Sequence, residues 1–338
     1  MPASRILVWG AGAIGGTVGA YLRRAGHDIT FVDTDAAHVA AIARDGLRIT
    51  GPIEQFTVRA PAFTPADVTG VWDRIFLCVK AQHTRAASEA LAPHLAPGGY
   101  VLSLQNGLCE EVIAGVVGPE RVVGAFINFG ADWQAPGEVQ FANHGAVVLG
   151  ETDGRMTKRL SALHAEMLEF APHAIMTDDI HGYLWGKLGY GILLFAQALG
   201  QLGIADCLAR PELLPLWRSL GAEVNAVAAA LGVQPRGFNG YDPAAFRPGA
   251  SEAAARESVV AMVAFNRPNA KTHSGIWRDI AVRKRTTEVD AQIAPIAAIG
   301  AKHGIPCPVT QRLVDMIHAV EQGRLPQADA NLDALMRG

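Results

Sequence analysis

Polar side chains suited to moving protons stand beside or inside apolar segments at a few places in this sequence. Lys80 and Asn106 each follow a short apolar run, Lys187 lies inside the apolar segment 184–195, and Glu288 follows a basic cluster. A lysine ammonium can protonate an oxygen on which negative charge develops, and a carboxylate can orient the reacting group. An asparagine amide can hydrogen-bond to a ribose and to a substrate. These residue types suit carbonyl reduction, provided that a hydride donor is held beside them.

Each of these residues also has a plainer interpretation. Lys80 can be a solvated charge at a strand end, and Asn106 with the glycine after it can be an ordinary turn. Lys187 can be a surface lysine whose stem covers apolar neighbours, and Glu288 with Asp290 can neutralise the basic cluster before them. If Lys187 is partly buried, desolvation lowers the pKa of a lysine and makes its proton more transferable. Both kinds of interpretation stay open on these residues alone.

The first strand–helix–strand pattern predicts where a hydride donor binds. The apolar run Ile6–Trp9 leads into a Gly-x-Gly-x-x-Gly motif, and a second apolar run, Ile29–Val32, ends at Asp33. In such motifs the first glycine permits a tight turn, the second admits a pyrophosphate to the backbone, and the third lets the helix pack closely on the sheet. An acid at the end of the second strand can accept hydrogen bonds from ribose hydroxyls. The predicted loop contacts to a dinucleotide are Gly10, Ala11, Gly12, Ala13, Ile14 and Gly15.

The arrangement of apolar runs predicts an α/β protein of two domains. Residues 1–178 alternate strands with helices, which indicates a doubly wound parallel sheet of the Rossmann type. Residues 179–338 have helical periodicity, which predicts an all-helical C-terminal domain. The predicted strands are Ile6–Trp9, Ile29–Val32, Arg74–Val79, Tyr100–Leu104, Arg121–Phe126, Gly137–Ala142 and Ala146–Leu149.

Several local features complete this outline. Residues 46–63 read as a small hairpin-like excursion, and Pro136-Gly137 as a turn joining antiparallel strands on an edge of the sheet. Asp279 and Arg283 have the spacing of a helical ion pair. Thr310 is placed to cap the last long helix.

Composition limits the function classes. The formal net charge of -3, spread without runs, argues against a nucleic-acid or anionic-membrane partner. No apolar run is long enough to cross a bilayer, and no secretory signal precedes the first strand. The 4 cysteines are scattered without histidine neighbours, so neither a metal site nor a disulfide scaffold is expected. We therefore expect a reduced, cytoplasmic protein.

The motifs taken together resemble the ketopantoate reductase (2-dehydropantoate 2-reductase) family over nearly the entire chain. The matching segments, in order, are Gly10–Gly15, Val79-Lys80-Ala81, Gln105-Asn106-Gly107, Gly130-Ala131, Trp185-x-Lys187-Leu188, Asp279…Thr287-Glu288-Val-Asp290 and Gly304–Pro308. The resemblance implies a Rossmann domain, a helical domain, a cleft between them, and reduction of a 2-oxo acid to a 2-hydroxy acid.

The resemblance also implies roles for single residues. Lys187 matches the general acid of the family, and Asn106 its cofactor- and substrate-binding asparagine. Lys80 matches the lysine near the cofactor phosphates, and Glu288 the acid that orients the reacting group and closes on the cofactor. Ala131 is predicted to contact the cofactor as well. The implied catalytic residues are thus Lys187, Glu288 and Asn106.

This chain departs from the family pattern at the cofactor. Many members carry an arginine where Asp33 stands, and that arginine suits the extra phosphate of NADPH. A carboxylate repels that phosphate, at a cost of a few kcal/mol or roughly two orders of magnitude in affinity. The sequence therefore predicts that NAD is preferred, with NADP as the alternative.

It also departs on the substrate side. The family has asparagines four and eight residues after its lysine, and here those positions hold Gly191 and Phe195. Losing such hydrogen bonds costs about 1–3 kcal/mol each for a substrate that uses them. Tyr190 and His273 are the candidates for replacement contacts. The substrate-binding serine of the family either corresponds to Ser274 or is absent. We expect a 2-oxo/2-hydroxy acid substrate other than ketopantoate.

Two other functions remain open on the sequence. One is a genuine 2-dehydropantoate 2-reductase with a rewired site, and the other is a non-catalytic NAD-binding sensor. The sensor needs no proton donor, so Lys187 argues against it. A homodimer is compatible with the family resemblance.

Overall fold

The computed structural model describes residues 5–269 and 272–337. Its contacts divide the chain into two compact units, Met1–Ile180 and His181–Gly338. The division falls two residues after the predicted domain boundary. Unit 1 contains every named strand, and unit 2 is built from helices.

Unit 1 alternates strands and helices along most of its length. Its strands are β1 (Ile6–Trp9), β2 (Ile29–Val32), β3 (Leu47–Thr50), β4 (Phe56–Val58), β5 (Ala62–Phe63), β6 (Trp72–Leu77), β7 (Leu95–Ser103), β8 (Val122–Ile127), β9 (Gly130–Ala135), β10 (Glu138–Asn143), β11 (Val147–Glu151) and β12 (Ile175–Met176). Its helices are α1 (Ala13–Arg24), α2 (Ala36–Asp45), α3 (Thr84–Leu91), α4 (Glu110–Val117) and α5 (Lys158–Met167), and α6 begins at its last residue.

The main sheet has eight strands in the order β12-β11-β8-β7-β6-β1-β2-β5. Its pairs are parallel except β11 with β8. Strands β1, β2 and β8 are buried along their whole length, so both faces of the sheet are covered there. The chain runs outward from β1 to β2 and then returns to β6 on the other side of β1. This is the topological switch of a doubly wound sheet, where ligands bind at the carboxyl ends of the strands.

The two hairpins of unit 1 join into a second sheet, which the sequence did not predict. Within residues 46–63, β3 and β4 form the expected antiparallel pair, whereas β5 joins the main sheet beside β2. Strands β9 and β10 form an antiparallel pair around Pro136-Gly137. The expectation that β9–β10 lies on an edge of the main sheet is wrong. Strand β10 pairs with β3 in parallel, and the four strands form a separate sheet in the order β4-β3-β10-β9. The register is set by pairing between distant residues, such as Val139 with Ile49, which no local pattern encodes.

Unit 2 consists of helices joined by turns and loops, with a long connection between Ala230 and Glu252. They are α6 (Ile180–Gln197), α7 (Ile204–Leu208), α8 (Leu214–Ala230), α9 (Glu252–Asn266), α10 (Gly275–Ala281), α11 (Val289–Gln292), α12 (Ala294–Lys302), α13 (Pro308–Glu321) and α14 (Ala330–Arg337). Large side chains such as Trp217, Phe195 and Phe246 are fully buried in its core. Among the residues described in either unit, no helix combines the length and apolar character needed to cross a bilayer.

The first turn of α13 is capped by a side chain from another helix. Thr310 does not cap it, because Thr310 lies inside the helix and Cys307 occupies the N-cap position. The Glu223 carboxylate on α8 accepts hydrogen bonds from the Val309 N–H (2.9 Å), the Thr310 N–H (2.7 Å) and the Thr310 hydroxyl (2.6 Å). A carboxylate suits this position because the first turn of a helix has unpaired N–H groups and a positive dipole end.

Candidate active site

The carboxyl ends of four parallel strands lie side by side in unit 1. Trp9 is in register with Val32 and with Leu77, and Leu77 is in register with Ser103. The glycine motif begins directly after β1, and Asp33 directly after β2. Lys80 and Asn106 each come three residues after their strand ends, at Leu77 and Ser103. The predicted cofactor residues of these segments therefore follow neighbouring strands at one edge of the sheet.

The glycine loop fits a dinucleotide pyrophosphate. Gly10 has a φ of 103°, and a Cβ there would lie 2.9 Å from the backbone of Cys78, so only glycine is tolerated. A Cβ at Gly15 would meet the Gly10 carbonyl at 2.0 Å. By contrast, a Cβ at Gly12 would have no described atom within 4 Å, which leaves open space at the start of α1. Gly12 is also the N-cap and offers no side chain to cover the first N–H groups.

The Asp33 carboxylate is held in place by the backbone on both of its oxygens. Oδ2 accepts a hydrogen bond from the Ala11 N–H (2.9 Å), and Oδ1 accepts one from the Asp35 N–H (3.0 Å). The side chain is half-buried. No lysine or arginine occurs from residue 33 to residue 43, whereas Asp35 adds a second acid. The surroundings of Asp33 therefore offer acceptors for ribose hydroxyls and no nearby cation in that segment for a 2′-phosphate.

His38 is a residue of this region that the sequence did not single out. It is fully buried, its Nε2 lies 2.9 Å from the Ala11 carbonyl, and its Nδ1 accepts a hydrogen bond from the Gly137 N–H (2.8 Å). Because a carbonyl can only accept, the ring is neutral with its proton on Nε2. His38 thus connects the glycine loop to the β9–β10 turn. A histidine on an otherwise ordinary helix carried no signal of this role.

A hydrogen-bond network positions the segments that carry Lys80 and Asn106. The Gln105 Nε2 donates to the Val79 carbonyl and to the Thr84 hydroxyl, both at 2.9 Å. Gln105 is buried, and its Oε1 has no hydrogen-bond partner among the described residues. Lys80 is half-buried and Asn106 is exposed. Gln105 therefore connects the segment after β7 with the segment after β6, and Asn106 next to it is open to a ligand.

Ala131 lies in the second sheet rather than at the carboxyl edge of the main sheet. It is half-buried on β9, in register with Phe141. Its contact with the cofactor stays a prediction.

In unit 2, Lys187 lies on α6, most of which is buried. It is half-buried, between the fully packed Trp185 and Leu188. Two glycines bring α6 close to the segment 236–241. A Cβ at Gly186 would lie 1.9 Å from the Arg236 carbonyl, and one at Gly189 would lie 2.2 Å from the Tyr241 hydroxyl. This close packing fixes the rotation of the helix and therefore the direction of Lys187.

The two positions that hold asparagine in the family have different surroundings here. Gly191 is half-buried, and a Cβ on it would meet no described atom within 4 Å. Phe195 is fully buried in the core. The chain therefore has open space at one position and a packed aromatic ring at the other.

The three candidate substrate contacts differ in how they are bonded. Tyr190 is buried, and its hydroxyl accepts a hydrogen bond from the Asn266 Nδ2 (2.9 Å). Burial raises the pKa of the Tyr190 phenol to about 12, against a smaller lowering by the Asn266 bond. Both ring nitrogens of His273 have partners, at the Thr272 hydroxyl (2.9 Å) and the Gln201 carbonyl (3.1 Å).

Ser274, the third candidate, is the N-cap of α10. Its hydroxyl oxygen accepts a hydrogen bond from the Trp277 N–H (3.1 Å) and donates to the Gln197 amide oxygen (3.4 Å). It is buried. As an N-cap, Ser274 has a structural role that does not depend on a substrate. Contact of Tyr190, His273 or Ser274 with a substrate stays a prediction.

Glu288 lies at the N-cap of the short helix α11 and is half-buried. The residue before it is anchored, because the Thr287 N–H donates to a Glu321 carboxylate oxygen on α13 (2.7 Å). The predicted ion pair between Asp279 and Arg283 is confirmed at 2.9 Å, and Arg285 joins it at 2.8 Å. Two arginines of the basic cluster 283–285, Arg283 and Arg285, are therefore paired with the buried Asp279.

The cysteines do not supply a nucleophile. All are free, and Cys109, Cys207 and Cys307 are buried. Burial raises the pKa of the Cys78 thiol well above its usual range, so it stays protonated at neutral pH. Within the described part of the chain, no group of three or more His, Cys, Asp or Glu side chains is arranged to hold a metal ion.

Comparison with family models identifies both units. The model described as ketopantoate reductase PanE/ApbA matches residues 6–154, and the model of its C-terminal domain matches residues 179–321. Among curated relatives, the 2-dehydropantoate 2-reductase of Archaeoglobus fulgidus is 28% identical over 96% of this chain and 100% of its own. That of Mesorhizobium japonicum is 29% identical over 68% of this chain and 77% of its own.

Solved structures give the same fold. A PanE/ApbA family ketopantoate reductase from Ralstonia eutropha has a TM-score of 0.80 and 26% identity, covering 95% of this chain and 99% of that one. D-mandelate dehydrogenase in its ternary complex with NADH and anilino(oxo)acetate has a TM-score of 0.82, covering 94% of this chain and 99% of that one. At 21% identity this second likeness concerns the fold alone.

Proposed function

Because this chain belongs to the ketopantoate reductase family, we propose that it transfers a hydride between NAD and a 2-oxo/2-hydroxy acid other than ketopantoate. It is a nicotinamide-dependent oxidoreductase acting on CH–OH groups. The observation that carries the finer proposal is a combination on α6. The lysine that matches the family acid is retained, while both amide side chains that follow it are replaced by an open glycine and a buried phenylalanine.

The preference for NAD is supported by the fixed carboxylate of Asp33. Two backbone N–H groups hold it at the end of β2, where it can still accept hydrogen bonds from ribose hydroxyls. A 2′-phosphate there would face that carboxylate, and the ten residues after Asp33 contain no lysine or arginine that could neutralise it. D-mandelate dehydrogenase, a protein of this fold, has been solved with NADH. The residues proposed to hold the cofactor are Gly10, Ala11, Gly12, Ala13, Ile14, Gly15, Asp33, Lys80, Asn106, Ala131 and Glu288.

The chemistry follows from the side chains. The bound nicotinamide supplies or accepts the hydride. In reduction, the Lys187 ammonium donates a proton to the carbonyl oxygen as charge develops on it; in oxidation, the neutral amine takes the hydroxyl proton. Glu288 holds the lysine or the substrate hydroxyl in position, and the Asn106 amide fixes the nicotinamide side. Lys80 meets the ribose or phosphates.

Tyr190, His273 and Ser274 remain the proposed polar contacts to the substrate. Tyr190→Phe separates a contact from a packing role, because the ring stays and only the hydroxyl is lost. If the hydroxyl binds substrate, kcat/KM falls about tenfold, the cost of one hydrogen bond of about 1.4 kcal/mol. Unchanged kcat/KM removes Tyr190 from the proposal. A cytoplasmic location and a homodimer also stay predictions.

The proposal is tested by following NADH absorbance with a panel of 2-oxo acids that includes ketopantoate. We expect turnover of an acid other than ketopantoate, and NADH to be used better than NADPH. Lys187→Ala should lower kcat about 10²–10⁴-fold, the usual contribution of a general acid, while the dissociation constant of NADH stays nearly unchanged. Lys302→Ala, on the exposed end of α12, is the matched control.

Two results would contradict the proposal. A mild effect of Lys187→Ala rejects the lysine as the acid. Turnover confined to ketopantoate supports the alternative, a genuine 2-dehydropantoate 2-reductase with a rewired site, which is the activity named for the curated relatives.

A further inference from the structure

Helix α6 has one partly open face. From Gly182 to Gln197, all of whose residues are described, the only positions that are not buried are Tyr183, Lys187, Gly191 and Leu194. Their spacing of four, four and three residues places them on a single side of the helix. We call this set the α6 stripe. Lys187 is its one charged member, so a substrate that meets the Lys187 amine approaches α6 from the side of the stripe.

Gly191 gives the stripe a gap one turn beyond Lys187. The other two glycines beside the lysine are explained by packing, since a Cβ at Gly186 or Gly189 would collide with the segment 236–241. Gly191 has no such neighbour, because a Cβ there would have no described atom within 4 Å. Glycine is disfavoured in helices relative to alanine. Packing therefore does not explain this glycine, and its missing side chain leaves room beside Lys187.

On the side of the gap away from Lys187, the stripe is apolar. Leu194 follows Gly191 on the stripe, and the next residue along the chain, Phe195, is fully buried. Neither Gly191 nor Leu194 has a side-chain donor or acceptor, so a hydroxyl placed on them would lose its hydrogen bonds with water and gain none from these side chains. An apolar group placed there would instead be favoured by removal of its surface from water.

We propose that Gly191 and Leu194 receive the side chain of the substrate, and that the enzyme therefore prefers 2-oxo/2-hydroxy acids with a bulky apolar side chain, aromatic or branched. This inference rests on the proposed function, because it takes Lys187 as the group that meets the substrate oxygen. Gly191 is then a specificity-determining residue. Its lack of a side chain provides the space that the larger acid fills.

The test compares kcat/KM with NADH for phenylglyoxylate, 4-methyl-2-oxopentanoate, pyruvate and ketopantoate. The wild type should use at least one of the two bulky apolar acids at least tenfold better than pyruvate and ketopantoate. In Gly191→Asn, a side chain fills the gap, so kcat/KM for that acid should fall at least thirtyfold. The value for pyruvate, which carries only a methyl group, should change less than threefold. Gly191→Ala should give an intermediate loss.

Gly115→Asn is the matched control. Gly115 is an exposed glycine on α4, where a Cβ also has no described atom within 4 Å, so the same change is made far along the sequence from the stripe. It should leave all four values within twofold. NADH affinity and melting temperature, measured for each variant, report any general damage.

The outcomes separate this inference from the proposed function. If no 2-oxo acid other than ketopantoate is turned over, the proposed function itself fails. If the wild type turns over pyruvate best, the role of Gly191 and Leu194 is rejected while the proposed function stands. The same holds if Gly191→Asn and Gly191→Ala leave the bulky acid unaffected or depress all acids equally.

Discussion

At the scale of single residues, the proposed preference for NAD depends on Asp33. Its carboxylate is not free to turn away from an approaching phosphate, because each oxygen accepts a backbone hydrogen bond. A fixed negative charge repels a second one more effectively than a mobile one, since the cost of reorganisation adds to the Coulomb term. The same bonds hold the carboxylate ready for ribose hydroxyls. Under the proposed function, Asp33 therefore favours the binding of NAD and disfavours that of NADP.

Removal of this charge should shift the cofactor preference. Asp33→Asn keeps the shape of the side chain and one carbonyl oxygen but removes the repulsion. We expect the ratio of kcat/KM for NADPH to that for NADH to rise about 10–100-fold, equivalent to about 1.4–2.8 kcal/mol. Asp28→Asn, at the other end of β2, makes the same change in net charge and should leave the ratio within twofold. A ratio that is equal in both variants would contradict the role of Asp33.

At the scale of elements, helices and turns determine where the chemical groups point. Gly186 and Gly189 let α6 approach the segment 236–241, and this contact leaves Lys187 on the open face of the helix. His38 connects the glycine loop with the β9–β10 turn through two hydrogen bonds. Glu223 connects α8 with the start of α13, the helix that in turn anchors Thr287 through Glu321. Each connection joins residues that are far apart in sequence.

The Glu223 cap should be measurable as stability. In Glu223→Gln, an amide nitrogen replaces one of the two oxygens that accept hydrogen bonds from the backbone N–H groups of α13. The negative charge that is favourable at the start of that helix is also lost. We expect the free energy of unfolding, measured by urea titration, to fall by about 1–3 kcal/mol. Glu257→Gln on the exposed side of α9 should change it by less than about 0.5 kcal/mol. A loss no larger than in this control would show that the cap adds little.

At the scale of the whole molecule, both units bury neutral acids. Desolvation raises the pKa of Tyr100 in unit 1 to about 12, and that of Tyr190 in unit 2 to about 12. It also raises the pKa of Cys207 to about 12 and that of Cys307 to about 11. These phenols and thiols keep their protons in the fold at a pH where the unfolded chain loses them. Unfolding at alkaline pH therefore releases protons.

The fold should consequently weaken as the solution becomes alkaline. The stabilisation that the protonated thiols contribute is fully present below the ordinary thiol pKa of 9.0. It is lost as the pH rises towards the pKa values of Cys307 and Cys207 in the fold, about 11 and about 12. Each group lowers the free energy of unfolding by up to about 1.4 kcal/mol per pH unit in that range. Urea titrations at pH 8, 9.5 and 10.5 measure this slope, and Cys207→Ala should make it shallower. A free energy of unfolding that is constant from pH 8 to pH 10.5 would contradict the prediction.

The sequence by itself determined the features that depend on neighbours along the chain. The glycine motif, the strands β1 and β2, the acid after β2 and the helical character of unit 2 were all predicted, because turn geometry and apolar periodicity are local. The family resemblance, which rests on motif order, identified Lys187, Asn106 and Glu288 as candidates. The order of motifs survives even where single contacts have changed.

Only the tertiary structure decided which distant residues meet. It joined two hairpins into a second sheet, gave the start of α13 a cap from Glu223 rather than Thr310, and buried His38 against the glycine loop. It also left Gly191 beside open space while Phe195 entered the core. These outcomes depend on packing between segments far apart in sequence, and a local pattern of residue types contains no information about such packing.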